Sequence, residues 1–336
     1  MPQTAGELTQ CSFSVRILRG TVAGTLILTT VSLVPLYPLL TEWIGSLRLQ
    51  LCGGILLLAA IAIILRRSRL LLLLSLQLPI HGLWMPVLFH PPPTTNAVSP
   101  PDLSICSVNI HVSTESAANL LSVLPKNLPD VIGIQELSSA MWNSLEQHLG
   151  SSHPHRLHSF RKPGHFGIGF VSRYPLVEYE HFPLNEDEIP VVNAVLQTPK
   201  GKVRIVVSHQ LPPLSSEYLR LRSEGLQSIV DRITTARQRQ PEIPAILVGD
   251  LNCTPWVSEY HRLLQLTEMQ DSLNRSNLNA TWYPPLFPGC GLIIDHVFFS
   301  SELACLSRRT LAYFGSDHRP ILTTFRFLRP QSASSE

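Results

Sequence analysis

Charge is what this sequence has least of. Only 15% of its 336 residues are Asp, Glu, Lys or Arg, and the first 101 hold just six basic and two acidic residues. The stretch 102–336 carries 20 Lys and Arg against 22 Asp and Glu. A protein that grips long nucleic acid shows a clear Lys/Arg excess. The near-balance here argues against a broad polyanion-binding face, although a bound metal can supply positive charge locally. Cysteine is sparse too: six residues, no Cys-x-x-Cys and no His/Cys cluster at zinc spacing. Cys11 and Cys52 fall in the apolar part. Of the later four, Cys106, Cys253, Cys290 and Cys305, pairing stays open, but Cys106 alternates into a strand-like run where an inert buried thiol is expected. There is no internal repeat.

The positive mean hydropathy, +0.15, comes from the N-terminal quarter. Three charge-free apolar runs stand there, Gly20–Leu40, Leu49–Leu65 and Leu70–Phe89. Each approaches the ~20 residues that carry a helix across a bilayer, and none offers a polar face to water. A cleaved signal peptide would account for the first run only. The expectation is an N-terminal segment 1–19, then a multi-pass membrane region over 20–89 with transmembrane helices at about 20–40, 49–65 and 70–89. Arg16 and Arg19 precede the first run, and Arg66, Arg67 and Arg69 separate the second from the third. The positive-inside bias puts both clusters in the cytoplasm, so a third crossing makes the remainder extracytoplasmic. The third run carries Pro79, His81 and Pro86; if it only dips into the membrane, the remainder stays inside. Residues 90–101, rich in proline, read as a semi-rigid spacer, and 330–336 as a polar tail.

Between them, 102–329 alternates strand-like and helical patterns. Leu103–Ile110, Val131–Gln135, Phe166–Ser172, Val191–Gln197, Val203–Ser208, Ala245–Val248, Ile293–Phe299, Arg309–Phe314 and Ile321–Phe327 read as strands, and Ala117–Leu124 and Tyr218–Ile233 as helices. Polar residues capable of chemistry sit where these runs stop: Asn109, Gln135-Glu136, Ser208-His209, Gly249-Asp250-Leu251-Asn252, Ile294-Asp295-His296 and Ser316-Asp317-His318. His153, His155, His158 and His165 crowd one segment at a spacing that fits no standard metal pattern, so a solvated loop is expected there. Arg161, Lys162 and Arg173 are basic residues that could line a cleft, though isolated ones are more often plain surface.

This order of Asn, Glu, His, Asp-x-Asn, Asp-His and Ser-Asp-His resembles the endonuclease/exonuclease/phosphatase superfamily, the deoxyribonuclease I-like phosphoesterases, in a membrane-anchored form of bacterial type. The resemblance covers roughly residues 102–328. It implies a four-layered α/β sandwich, two packed β-sheets flanked by helices, preceded here by the transmembrane region. It also implies roles. Glu136, with Asn109 beside it and Asp317, would hold a hard cation, Mg²⁺ or in its place Mn²⁺. His318 would take the proton from the attacking water, with Asp317 or Asp295 fixing its tautomer; imidazole suits this because it titrates near neutrality. Asp250 and Asn252 would orient that water and hold a phosphate oxygen, beside Asn109. His209 would protonate the leaving group or contact the phosphate. Two positions depart from the pattern: His111 stands where some relatives carry an acid or amide near a second metal, and Ile293 where many carry a polar side chain.

The expected protein is therefore a hydrolase of phosphodiester or phosphomonoester bonds, anchored in a lipid bilayer through its N-terminal helices. Its substrate would be a lipid headgroup, a small phosphoester or nucleic acid, and no protein partner is expected. A nuclease acting on extracytoplasmic DNA or RNA is the alternative within the enzyme class. A catalytically inactive, membrane-tethered binding module is the alternative outside it, and the complete residue set disfavours it.

Overall fold

The computed structural model describes residues 5–34, 37–91, 100–114, 116–160, 167–184, 189–284 and 289–328, with side chains from residue 15 onward. It divides into two compact units, Met1–Pro86 and Val87–Glu336.

The first unit is helical: α1 (Ala5–Val31), α2 (Pro38–Ser46), α3 (Arg48–Ile64) and α4 (Ser68–Gly82). These boundaries correct the three expected runs. The first helix starts at Ala5 rather than Gly20 and stops at Val31, and Pro38, suited to a first turn, opens a separate short helix. The last runs through Pro79 and stops at Gly82, short of Phe89, and a separate 3₁₀ turn begins at Pro86. Among the described residues no single helix is long and apolar enough to cross a membrane; α2 and α3 meet those criteria only together, bent by 63°. The interior of this unit mixes apolar and polar residues. Leu18, Val22, Ile55, Ala62 and Leu74 form a small apolar centre, yet Thr29, Ser32, Arg48, Gln77 and His81 are also buried. Ile27, Leu57, Ile64, Leu72 and Leu83 are all at least 61% exposed.

The second unit runs β1 (Leu103–Asn109), α5 (Ala118–Val123), β2 (Val131–Gln135), α6 (Ser139–Leu149), β3 (His155–Ser159), β4 (Ile168–Ser172), β5 (Leu176–Pro183), β6 (Pro190–Thr198) and β7 (Gly201–His209). It continues with α7 (Ser216–Arg239), β8 (Ala245–Asp250), α8 (Ser258–Thr267), β9 (Gln270–Asp271), β10 (Asp295–Phe299), β11 (Leu303–Thr310) and β12 (Ile321–Phe327). Two six-stranded sheets result, ordered β11-β12-β1-β2-β4-β3 and β5-β6-β7-β8-β10-β9. Alternation along the strands builds three apolar layers. Ile105, Val131 and Phe170 of one sheet meet Ile205, Val248 and Val297 of the other. Cys106, Val108 and Ile134 point the opposite way, onto Leu120, Met141 and Leu145 of α5 and α6. Val206, Leu247 and Phe298 pack on Leu226, Ile229 and Leu263 of α7 and α8. The fold is thus mixed α/β, two packed sheets flanked by helices.

Strands β1 and β2 are parallel, as are β7 and β8, so each pair ends on one edge. Strands β12 and β10 run antiparallel to β1 and β8 and start where these end. Every candidate site residue lies along that edge.

Some expectations change. The strand expected at Arg309–Phe314 lies earlier, at Leu303–Thr310, where it pairs with β12. The histidine-rich segment is no solvated loop: His155–Ser159 forms β3, His153 is buried with Nε2 2.7 Å from the carbonyl of Pro129, and His158 packs between Trp142 and Phe160. Arg173 braces the surface, donating to the carbonyl of Leu128 and pairing with Asp130. Arg161, Lys162, His165, the expected strand start at Phe166, most of the spacer (92–99) and the tail 330–336 lie outside the described residues. The four cysteines of this unit are unpaired, and burial pushes the Cys106 thiol up to about 12.

Candidate active site

Two residues turn the strand ends inward through backbone that side chains rarely adopt. Glu136, directly after β2, has φ 56°, and Asn252, just beyond β8, has φ 49°. Left-handed non-glycine residues cost energy and concentrate at working sites. Gly249 has φ +149°, and a Cβ there would stand 1.8 Å from the carbonyl oxygen of Ser208 on the parallel neighbour β7. Only glycine lets β8 deliver Asp250 this close to β7.

Asn109 is the hub. Its Nδ2 donates to Glu136 Oε1 at 3.0 Å and to Asp250 Oδ2 at 3.1 Å, so one amide ties the ends of both sheets. Its Oδ1 accepts from the N–H of His111 at 3.0 Å. Glu136 also accepts, through Oε2, from the N–H of Val112. Asp250 Oδ2 lies 3.5 Å from His209 Nε2 and 3.6 Å from His318 Nε2. His318 Nδ1 stands 2.9 Å from Asp295 Oδ2. Ligand atoms of Asp250, Asp295 and His318 lie within 4.8 Å of one another, all three buried.

The choice left open between Asp317 and Asp295 is thereby settled by distance: Asp295 orients the imidazole. Asp317 instead accepts from the indole N–H of Trp282 through Oδ2 at 2.9 Å, while its Oδ1 is buried without a hydrogen-bond partner among the described residues. Neither Glu136 nor Asp317 belongs to the tight Asp250–Asp295–His318 group. Asn109 serves as a bridge between carboxylates, with its own oxygen engaged.

Burial pushes the Asp250 carboxyl up to about 8, and the neighbouring Asp295 charge adds to this. Burial alone would lower His318, but the charges of Asp295 and Asp250 and the Asp295 hydrogen bond raise it to about 10. The same imidazolium holds Asp295 below its ordinary value despite burial. His209 is pulled down to about 4 by burial, against the opposing charge of Glu136. In the metal-free protein, then, His318 is protonated and His209 neutral at pH 7. A neutral His209 is a hydrogen-bond donor to phosphate before it is a proton donor to a leaving group.

Several further residues support this arrangement. Ser316 Oγ donates to the carbonyl of Asn109 and accepts from the N–H of His318, docking the last catalytic loop on β1. Thr281 Oγ1 accepts from the N–H groups of Ile294 and Asp295, both at 3.1 Å. Arg222, fully buried on α7, donates to the carbonyl of Asn252, whose Nδ2 donates in turn to that of Gln210. Behind Asp295, His296 stands between Asp271 Oδ2 at 2.7 Å and the carbonyl of Cys253 at 3.0 Å, bracing the loop after Asn252. Thr281 and Arg222 look like any others until the chain has folded; Ser316 and His296 stood in the motifs, but the contacts they make did not show there.

Carboxylates, an amide and two histidines are gathered where the strands of a two-sheet sandwich end, the residue types that hydrolysis at a hard cation employs. The profile of the Endonuclease/Exonuclease/phosphatase family matches residues 106–318, and the chain belongs to that family. No curated protein matches. Among solved structures, an endonuclease/exonuclease/phosphatase from Beutenbergia cavernae superposes with a TM-score of 0.57 at 18% identity, covering 70% of this chain and 74% of its own. A humanized D. rerio TDP2 gives 0.57 at 19%, covering 67% and 98%. Sphingomyelinase C from Streptomyces griseocarneus gives 0.50 at 15%, covering 67% and 99%. At such identities the likeness concerns the fold.

Proposed function

We propose that the chain is a membrane-anchored, divalent-metal-dependent phosphoesterase that hydrolyses phosphodiester or phosphomonoester bonds. The observation that carries this reading is the crowding of carboxylates around Asn109. Glu136 and Asp250 meet on the Asn109 amide, Asp295 and His318 stand beside Asp250, and Oδ1 of Asp317 is buried without a partner among the described residues. Unsatisfied buried carboxylate oxygens are costly, and a hard cation that takes oxygen ligands fits them. Glu136, Asp317 and the Asp250 group would hold Mg²⁺ or Mn²⁺, which supplies charge neutralisation at the phosphate and a more acidic water.

The chain's own residues do the rest. Asp250 Oδ2 and His318 Nε2 lie 3.6 Å apart, so the two titrate as a coupled pair, and the water proton is accepted by whichever member of that pair is deprotonated. Asp295 holds the ring, His209 donates from Nε2 to a phosphate oxygen, and Asn252 lines the water's approach. For the first unit, exposed Ile27, Leu57, Ile64, Leu72 and Leu83, with Thr29, Arg48, Gln77 and His81 buried inside, support a bilayer surrounding. The arginines at 16, 19, 66, 67 and 69 support an extracytoplasmic catalytic unit.

The test is Glu136→Gln, which keeps shape and removes charge. Mg²⁺ affinity by calorimetry should fall at least about tenfold, with activity on bis-p-nitrophenyl phosphate falling alongside and partly recovering at high Mg²⁺. Unchanged Mg²⁺ affinity would remove Glu136 from the metal site.

A further inference from the structure

We propose that Trp282 is a positioning residue of this site, whose indole N–H fixes the Asp317 carboxylate and thereby sets how tightly the site holds its divalent cation. The inference rests on the phosphoesterase reading above.

The carboxylates of the site are held in different ways. Asp295 Oδ2 takes the imidazole of His318 at 2.9 Å. Glu136 has both oxygens engaged, Oε1 by the amide of Asn109 and Oε2 by the N–H of Val112. Asp317 has one side-chain donor among the described residues, the indole Nε1 of Trp282, 2.9 Å from Oδ2. Its Oδ1 is buried with no hydrogen-bond partner among them. A buried carboxylate oxygen left in that condition is costly, so this atom is the open ligand position of the residue. A neutral N–H donor on Oδ2 stops the carboxylate turning and leaves its negative charge in place. A hard cation needs both from an oxygen ligand.

The indole is itself clamped from two sides. The backbone N–H of Trp282 donates to the carbonyl of Leu292 at 3.0 Å, and its carbonyl accepts from the N–H of Leu292 at 2.9 Å. Leu292 stands three residues before Asp295. On the other side, the N–H of Tyr283 donates to the carbonyl of Asp317 at 3.0 Å, and the N–H of Arg319 donates to that of Thr281 at 2.7 Å. Residues 281–283 thus bridge the stretch that delivers Asp295 and the stretch that delivers Asp317 and His318. Gly291 lets the bridge close: a Cβ there would stand 2.6 Å from Cβ of Ala280 and 2.7 Å from Cε1 of Tyr283. The Trp282 ring is half-buried. Phenylalanine would cover much of the same apolar surface, but it would leave Oδ2 without its donor beside the orphan Oδ1. Groups that hydrogen-bond a ligand carboxylate are worth roughly 10–100-fold in metal affinity.

The experiment is a double-mutant cycle on the full chain in detergent, read as Mg²⁺ affinity by titration calorimetry, with Trp282→Phe, Asp317→Asn and the two together. A further donor-free variant carries benzothienylalanine in place of Trp282, which keeps the fused ring and exchanges the N–H for sulfur. Mg²⁺ affinity should fall about tenfold or more in Trp282→Phe and in the benzothienyl variant alike. In the Asp317→Asn background, Trp282→Phe should change it by less than about twofold, because the carboxylate through which the indole acts is gone. Equal losses with and without that carboxylate overturn the positioning role. So does a loss confined to Trp282→Phe, which would assign the effect to packing, and so does unchanged or tighter binding in both donor-free variants. In each of these cases a native chain that binds Mg²⁺ and cleaves bis-p-nitrophenyl phosphate leaves the phosphoesterase reading standing. A native chain that neither binds Mg²⁺ or Mn²⁺ nor cleaves that ester overturns both.

Discussion

At the scale of single residues, the site is a problem in where one proton resides. Asp250, Asp295 and His318 are buried together, and His318 is raised from 6.5 to about 10 by the carboxylates around it. A folded-state value above the unfolded one contributes stability that is complete below pH 6.5 and is lost as pH rises through about 10. The chelated protein should therefore lose thermal stability between about pH 7 and 10. Asp295→Asn, by removing the closest partner at 2.9 Å, should flatten that slope while lowering stability at pH 7. A slope unchanged by Asp295→Asn would show that His318 does not draw its charge from this pair. Catalytic residue types were legible because Asn109, Glu136, His209, Asp250, Asn252 and His318 each stand at the end of an apolar run or in a short motif. Their roles were less so. Whether Asp317 or Asp295 holds His318 depends on which carboxylate lies 2.9 Å away, and a neutral His209 depends on burial that no linear pattern displays.

At the scale of elements, the site depends on how closely two parallel strands can approach. Gly249 sits opposite Ser208 with φ +149°, and no added Cβ can be accommodated without moving one strand. Gly249→Ala should therefore destabilise the chain by ~2–4 kcal/mol, since it combines a steric clash with a backbone conformation that L-residues avoid. Because the residue directly precedes Asp250, activity should fall further than stability alone explains. The check pairs urea unfolding with kcat under conditions where the variant remains folded; native kcat in a destabilised variant would mean that Asp250 keeps its place. Interior strands such as β7 and β8, buried on both faces, announce themselves as continuous apolar runs. The edge strand β5 does not: Glu178, Tyr179 and Glu180 are exposed in succession, leaving no alternation to read. Strand β3 is hidden by its histidines, whose ring stacking on Trp142 and Phe160 is a tertiary event.

At the scale of the whole molecule, the proposed anchoring requires the catalytic unit to lie on one side of a bilayer, and the helical unit supplies an argument about that side that hydropathy lacks. Arg48, at the start of α3, donates to the carbonyl of Ser32 just past the end of α1, and stands 3.3 Å from His81 Nδ1 near the end of α4. Thr29 Oγ1 in the last turn of α1 lies 3.0 Å from His81 Nε2. The C-terminal ends of α1 and α4 therefore meet the N-terminal end of α3, so α1 and α4 run in the same direction and α3 runs back. A fourth helix that returned to its own side would have to leave Arg48 and Thr29. With Arg66, Arg67 and Arg69 at the opposite end, a membrane-embedded helical unit obeying the positive-inside bias would direct the end of α4 away from the cytoplasm. Length pulls the other way: the 15 residues of α4 span only ~22 Å, against ~30 Å of hydrocarbon, and Leu83–Phe89 must make up the difference. Alkaline phosphatase fused after residue 101 in a bacterial host should be active and green fluorescent protein fused there dark. Arg48→Ala should weaken that pattern by freeing α4 from α1 and α3. Bright fluorescence with an inactive phosphatase in the native chain would put the enzyme in the cytoplasm and reduce α4 to a segment that dips into the membrane without crossing it.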